Sequence, residues 1–539
     1  MSSDANLEPV VSADSAPEKR TGGAFATVLK NVTSNWASLV VNTIVSFVLA
    51  PIVVHSLGSV YYGIWTLVTQ FTGYLWLLDF GVRESVIKYV AEYHASGQDD
   101  RLQSTIGNAI SVYLAVTLAA FAAIAALSVA LPYLFNIPAE TATAAQWTAF
   151  LVGTTVAQSF LSNVFVGVLM GLQRIYLVAR TGILFAVVRA IAIFVLLRAG
   201  YGIVALSVLQ LVLSLISGLM VFHLCRVYLP TVSFRPARPV RDEVRRLLNY
   251  GKYVLLANIG DKIAFMTDGI VIGAFLPIAM LTPYAIAGTL IAQMRSVVIA
   301  MSSIFNPLTS ALQSEKRSDQ LASVVIAGCK AAMLVGMPIC IGFITLGQRF
   351  VELWMGPTYA ATAGQILMVL SLGYIVGSPY QTISGMFYGL GEHRRIAILR
   401  IVEGAVNLAL SMTLIQTLGL VGVALGTAIP HVIIVGVVLP RMLPQLFAVR
   451  LRDYYAAVYL RPFAASVPFA LTCWMIAQAI VPATLVSFFA WGLVSLATYA
   501  IPCWLIALSA SERAHILEAL ARRLPRLLPA AAAGGVPRG

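Results

Sequence analysis

The residues of this chain best placed to do chemistry are ionisable side chains set inside long apolar runs. Arg189, Lys262, Arg295 and Lys330 each lie well inside such a run. A charge there is expensive unless it faces a cavity, a partner or water, so each marks a candidate site. Arg295 begins a polar stripe with Ser302, Asn306 and Ser310, at spacings of 7, 4 and 4, which puts all four on one helical face. A guanidinium offers forked donors that match a diphosphate, which makes Arg295 the first candidate for recognising an anionic head group. Arg189, Lys262, Lys330 and Asn306 are further candidate substrate contacts. The competing reading of Arg295 is a structural ion pair with an acid on the preceding apolar run.

That run carries Asp261 and Asp268, seven residues apart and therefore on one face of a helix, with Lys262 a third of a turn away. If the two runs pack antiparallel, Arg295 meets one of these acids. The acids are also candidates to hold a transported proton or sodium ion; plain charge compensation is the alternative. Glu403 is a third candidate for ion coupling. It follows Arg400 by 3 residues and precedes Asn407 by 4, a spacing that favours an internal Arg400–Glu403 pair. Asn31, Asn35, Ser38 and Asn42 form a stripe that either lines a wet cavity or bonds a neighbouring helix. Lys252 and Arg461 lie near the ends of their runs and are expected to snorkel. Asp79 and Glu84 have Arg83 and Lys88 as nearby partners.

The elements that position these groups are membrane-spanning helices. The chain of 539 residues is 59% hydrophobic and 11% charged, with mean hydropathy +0.87. Soluble domains carry about 25% charged residues, so this chain lacks the polar surface to face water. The apolar runs lack strict alternation, which favours helices over a β-barrel. The reading is an all-α integral membrane protein of about fourteen transmembrane helices, near 31–54, 61–82, 106–134, 147–170, 177–198, 203–225, 249–275, 283–311, 323–346, 363–388, 396–417, 420–439, 457–481 and 485–508. Alternate connections hold 26 lysines and arginines on the side of the amino terminus and only Arg198 and Arg349 on the other. The basic side is therefore read as cytoplasmic, with both termini on it.

The two halves of the sequence echo each other. Gly171-Leu172-Gln173-Arg174 ends the fourth helix as Gly389-Leu390-Gly391-Glu392 ends the tenth, Arg180 corresponds to Arg400, and Gly202-Ile203-Val204-Ala205-Leu206 to Gly422-Val423-Ala424-Leu425. The offsets run from 218 to 220 residues. The predicted organisation is a polar, disordered cytoplasmic tail (1–25), a six-helix lobe (26–225), a basic cytoplasmic linker (226–248), a second six-helix lobe (249–445), two added helices (446–510) and an amphipathic basic tail (511–539). Parallel duplication of this kind is typical of transporters, with the substrate path between the halves. The linker is expected to rest on anionic lipid. The tail, with Ile516, Leu517, Leu520 and Leu524 on one face, fits an in-plane helix.

Absences narrow the function. No G-x-x-x-x-G-K-[ST] or H-E-x-x-H occurs, the six histidines form no cluster, and the five cysteines have no metal-ligand spacing. No cofactor, no nucleic acid partner and no enzymatic activity are expected.

The stretch LGSVYYGIWTLVTQFTGYLWLLDFGVRESVIKYVAEY (57–93) resembles the second-helix signature of bacterial polysaccharide exporters and O-antigen flippases. These belong to the multidrug/oligosaccharidyl-lipid/polysaccharide exporter superfamily. The Gly-Leu-Gln-Arg exit from the fourth helix and Asp268-Gly-Ile-Val-Ile-Gly-Ala-Phe-Leu fit the same pattern, and the resemblance extends over roughly residues 25–445. It implies two lobes in a V that opens alternately to either face, carrying an undecaprenyl-diphosphate-linked oligosaccharide across the bacterial inner membrane. Related lipid II flippases line their cavity with arginines on the first, second and eighth helices. Here Arg295 is on the eighth, but the first two carry only Lys30 and Arg83, near their ends. That departure argues against a lipid II flippase. A multidrug cation antiporter of the same fold and a non-transporting partner of polysaccharide synthases are the rival readings. A polymerase and glycosyltransferases would be the expected partners in the pathway.

Overall fold

The computed structural model describes residues 18–302, 305, 308, 309, 312 and 318–527, and helices account for most of them. The first helix, α1 (Glu18–Gly73), turns back at Gly58, whose φ of +75° suits a residue without a Cβ. Residues on opposite sides of that turn, Asn42 with Thr72 and Leu49 with Trp65, line the same cavities, so α1 is a hairpin of two arms. A 3₁₀ turn (Tyr74–Asp79) and two left-handed residues, Phe80 and Gly81, lead into α2 (Val82–Ala95). Then come α3 (Asp99–Leu134), α4 (Ala139–Gly171), α5 (Ile175–Arg198), α6 (Ile203–Tyr228), α7 (Arg241–Phe275) and α8 (Leu281–Ser302). They are followed by α9 (Ser318–Met355), α10 (Pro357–Gly377), α11 (Tyr380–Gly389) and α12 (His393–Ile433). The chain ends with α13 (Leu451–Ile480), α14 (Leu485–Ala507) and α15 (Ala510–Leu527).

Eleven helices among the described residues are long and apolar enough to cross a membrane. Two of these, Trp36–Asp79 with 44 residues and Arg394–Phe447 with 54, far exceed a hydrocarbon core of about 30 Å, and each is broken at a left-handed glycine. Met266–Phe275 of α7 is a shorter apolar helix beside them.

The internal echo is visible in the backbone. Where α4 ends, the Gln173 N–H donates to Met170 O and the Arg174 N–H to Leu169 O; where α11 ends, Gly391 and Glu392 make the same bonds to Tyr388 and Phe387. Gln173 and Gly391 both have positive φ, as do Gly200 and Gly419.

Several expectations change. The span read at 363–388 is two helices, α10 and α11, separated at Ser378–Pro379, because proline removes a backbone donor and crowds the preceding turn. The basic segment 226–248 is not a separate interfacial helix: α7 begins at Arg241. The strand of chain before it packs on α3, with Ala237 N–H donating to Gly107 O at 3.2 Å and Val240 N–H to Asn108 Oδ1 at 2.9 Å. Asp79 accepts from Tyr113 OH at 2.5 Å, while Arg83 pairs with Glu84 at 2.8 Å.

The two halves meet at the arginine-poor ends of their helices. Thr282 Oγ1 donates to Ser59 O at 2.6 Å, and Asn136 donates through its backbone to Gly273 O at 3.1 Å and its side chain to Ala274 O at 3.0 Å. Val54, Phe135 and Ile278 join one hydrophobic core there. Toward the basic ends, α2, α3, α4 and α6 share a second core that Leu247 of α7 joins, and there Ser85 Oγ donates to Leu247 O at 2.7 Å.

Candidate functional site

Two cavities adjoin along α1 and α7, one toward α5 and α6 and the other toward α8, α10 and α12. The first, 450 Å³, is lined by Asn42, Thr69 and Thr72 of α1, Arg189 of α5, Gln210 of α6 and Lys262 of α7. The second, 410 Å³, takes Trp65, Thr69 and Gln70 of α1, Asp268 of α7, Arg295 of α8 and Tyr374 of α10. Thr69 and Met266 belong to both walls, and a further 240 Å³ space links Arg189 and Gln210 to Tyr62 and Trp65. Three of the four deep cations singled out in the sequence thus line neighbouring cavities. Arg189 makes no ion pair among the described residues. Apolar chain brings these groups together: Gly269 of α7 faces Gln70 so closely that a Cβ would displace the amide, and this lets α7 approach α1.

Arg295 does not pair with Asp268, although both line the second cavity. Its guanidinium instead lies over the Tyr374 ring, 5.8 Å from the centroid. Asp268 is 7% exposed, and its Oδ2 accepts from Tyr284 OH at 2.6 Å and Thr427 Oγ1 at 2.8 Å. Its Oδ1 has no hydrogen-bond partner among the described residues.

Behind Asp268 the two arms of α12 fold back at Gly419 and are held by a polar ladder. Ser411 Oγ donates to Val423 O at 3.5 Å, Asn407 Nδ2 to Thr427 Oγ1 at 3.1 Å, and Glu403 Oε1 lies 2.7 Å from His431 Nδ1. Each rung is one helical turn further from the bend on both arms, the register of an antiparallel helical hairpin. The outermost rung also holds Arg400, whose Nη1 is 2.7 Å from Glu403 Oε2 with side chains 1% and 4% exposed. This is the internal pair expected from the spacing, extended by an imidazole. Arg400 also lies over the Tyr380 ring at 4.1 Å.

Lys330 is placed elsewhere. The ammonium is 2.5 Å from Glu512 Oε2 on α15 and 3.5 Å from Ala507 O at the end of α14, and it lines none of these cavities. With 38 residues, about 57 Å, α9 outruns the membrane, so Lys330 sits level with the end of the last span rather than deep within one. Burial pushes the Glu512 carboxyl up, but the Lys330 ammonium and the Ser509 backbone outweigh it and hold it below the usual carboxylate range. Asn306 and the side chain of Asp261 lie outside the described residues. On the α1 stripe, Asn42 reaches the first cavity, while Asn31 is a fastener: it donates to Gln173 O at 3.1 Å and accepts from Tyr176 N–H at 3.0 Å. The sequence reading passed over Tyr284, Tyr374, Thr427 and His431. Each is a single polar group in an apolar run, and their meeting depends on the bend at Gly419 and on helix packing.

Residues 28–313, just over half of the chain, match the polysaccharide biosynthesis protein family. Two relatives come from Haloferax volcanii. One, described as probable low-salt glycan biosynthesis flippase Agl15, is 26% identical over 41% of this chain and 46% of its own length. The other, described as probable flippase AglR, is 22% identical over 50% of this chain and 57% of its own. The chain thus spans about half the length of these curated relatives. Among solved structures, the lipid II flippase MurJ in an inward closed conformation superposes with a TM-score of 0.67 at 14% identity, covering 88% of this chain and 98% of that one. An inward-facing MATE multidrug transporter gives 0.62 at 18% identity, over 77% and 96%. At such identities the likeness concerns the fold. The chain belongs to the polysaccharide biosynthesis protein family and folds as a multi-pass, all-α membrane protein of the same architecture as the lipid II flippase and multidrug-transporter structures.

Proposed function

We propose that this protein is a transporter, not an enzyme, and that it flips a lipid-linked oligosaccharide across a membrane by alternating access between its two halves. The observation that carries this reading is the pair of adjoining cavities, one lined by Arg189 and Lys262 and the other by Arg295 and Asp268. Three cations and room for polar groups suit an anionic diphosphate bearing a sugar, and the two relatives are described as probable flippases, one of them in glycan biosynthesis. The substrate we favour is an undecaprenyl-diphosphate-linked repeat unit in a bacterial inner membrane, with the basic ends of the helices and both termini in the cytoplasm.

Asp268 is our candidate for the coupling ion. A buried carboxylate with one oxygen unused, beside Thr427 and Asn407, offers oxygen ligands to a sodium ion or a place for a proton. Glu403, with both oxygens engaged by Arg400 and His431, is less able to take a metal cation. A multidrug cation antiporter would need an acid-dominated cavity, which is the reverse of this one. The test is transport of a fluorescent lipid-diphosphate-oligosaccharide in proteoliposomes and surface-polymer export in a deletion strain. Protein-dependent transport in the vesicles is expected, and loss of surface polymer from the deletion strain with the repeat unit stranded on the cytoplasmic leaflet; normal polymer in the deletion strain overturns the reading. An assembly partner that does not transport would tolerate Arg295→Ala, whereas a flippase loses export.

A further inference from the structure

His431 is a buried titratable group that the transport cycle above leaves without a task. Its side chain is 4% exposed, and Nδ1 lies 2.7 Å from Glu403 Oε1. With Nδ1–H donating to that carboxylate, Nε2 is the basic nitrogen, and it has no hydrogen-bond partner among the described residues. It faces the bare Cα of Gly377, where any Cβ would collide with the imidazole. A cavity of 10 Å³, about the room of one water, is lined by both His431 and Arg295. Tyr374 ties the two together: its ring is 4.8 Å from the imidazole and 5.8 Å from the Arg295 guanidinium.

We propose that protonated His431 acts on the anionic head group through the one-water space it shares with Arg295, so that a proton and the diphosphate bind this protein cooperatively. The inference rests on the reading of Arg295 as the head-group site. The groups facing the imidazole are Glu403 and Arg400 on its own helix, Tyr374 of α10, Tyr380 of α11 and Arg295 of α8, with Asp268 of α7 one rung away. Arg400 already neutralises Glu403. A proton on Nε2 therefore gives this cluster a net positive charge on the Arg295 side and turns an acceptor into a donor. An anion arriving at Arg295 offsets that charge, and the anion in turn favours the proton, because coupling between two ligands is reciprocal. Gly377, without a Cβ, is what lets the imidazole pack at this position.

The experiment is calorimetric titration of the full-length protein in nanodiscs with citronellyl-diphospho-N-acetylglucosamine. This diphosphate diester keeps a fixed charge over the range used. Lowering the pH from about 8 to about 6 is expected to tighten binding about tenfold, with about one proton taken up per ligand at intermediate pH. His431→Asn keeps a donor toward Glu403 in the place of Nδ1 but has no titrating nitrogen. It is expected to bind like wild type at about pH 8 and to gain nothing at about pH 6. Equal affinity at both pH values without proton uptake in the wild type overturns the inference, as does tightening that survives in His431→Asn. Where His431→Asn does not fold, Asp268→Asn separates the two candidate proton sites: tightening at low pH with proton uptake is expected to persist in it, and its loss there overturns the inference. If the ligand fails to bind, or binds equally well to Arg295→Ala, the head-group reading falls and this inference with it. If Arg295 is needed but pH has no effect, only this inference falls.

Discussion

Removing the charge of Glu403 should leave the second half of the protein markedly less stable, and removing Arg400 with it should restore part of the loss. Glu403 neutralises a guanidinium that is 1% exposed and holds the imidazole of His431, so both of its oxygens are engaged at 2.7 Å. Glu403→Gln keeps the shape and one acceptor but strands the Arg400 charge, which for buried pairs costs about 3–5 kcal/mol. The cation–π contact with Tyr380 survives and sets the lower end of that range. If the second half unfolds as a unit of about 200 residues, its unfolding entropy is about 0.4 kcal/mol/K, and the melting temperature falls by about 7–12 °C. Arg400→Met with Glu403→Leu removes both charges and leaves only a neutral imidazole short of one hydrogen bond, a loss of about 1–3 kcal/mol or 2–7 °C. Both variants are read by fluorescence-detected thermal unfolding in detergent beside the wild type. A double variant at least as unstable as Glu403→Gln would refute the reasoning, because the stranded charge would then not be the source of the loss.

Other outcomes follow from the same geometry. Arg189→Ala should lower transport by at least about tenfold while leaving the melting temperature within about 1 °C, since no ion pair is broken; a stability loss equal to the activity loss would count against a substrate role. Asp268→Asn should abolish the response of transport to an imposed ion gradient while substrate still binds, as measured in proteoliposomes with and without the gradient. Gly377→Ala should destabilise the fold and displace His431, so its thermal shift should largely disappear when combined with His431→Ala. Lys330→Ala should release α15 to limited proteolysis near Ala510. The Glu512 carboxyl is held below its usual value, so the clamp is present above the ordinary glutamate range near pH 4.3 and is lost only as pH falls through the lower folded value.

The spans, the all-helical class and the internal echo were legible because they depend on local properties: run length, charge placement and glycine-bearing helix exits such as Gly389–Glu392. The Arg400–Glu403 pair was legible for the same reason, since one helix sets its geometry. Partners across a bend were not. Glu403 and His431 are 28 residues apart; the hydropathy break between 396–417 and 420–439 shows that the chain reverses near Gly419, but not which residues of the two arms face each other. Lys330 misled because an apolar window measures hydropathy, not depth. A helix of 38 residues overshoots the bilayer, and the position of Lys330 is fixed by Ala507 and Glu512, which lie far along the chain. Asp268 and Arg295 line one cavity, but the alternative reading of an ion pair between them is not what forms: the hydroxyls of Tyr284 and Thr427 reach the carboxylate instead.

The single-residue bends at Gly58 and Gly419 also bear on how the chain is made. Neither leaves a connecting loop that could be drawn through the translocon by itself. The arms on each side must therefore enter the bilayer together, as preformed helical hairpins emerging from the ribosome. In the second hairpin that timing shields its polar rungs, because Asn407 and Glu403 meet Thr427 and His431 before either arm is left alone in lipid. A longer, flexible insertion at Gly419 would separate those events, and its first symptom should be failed biogenesis rather than slower transport.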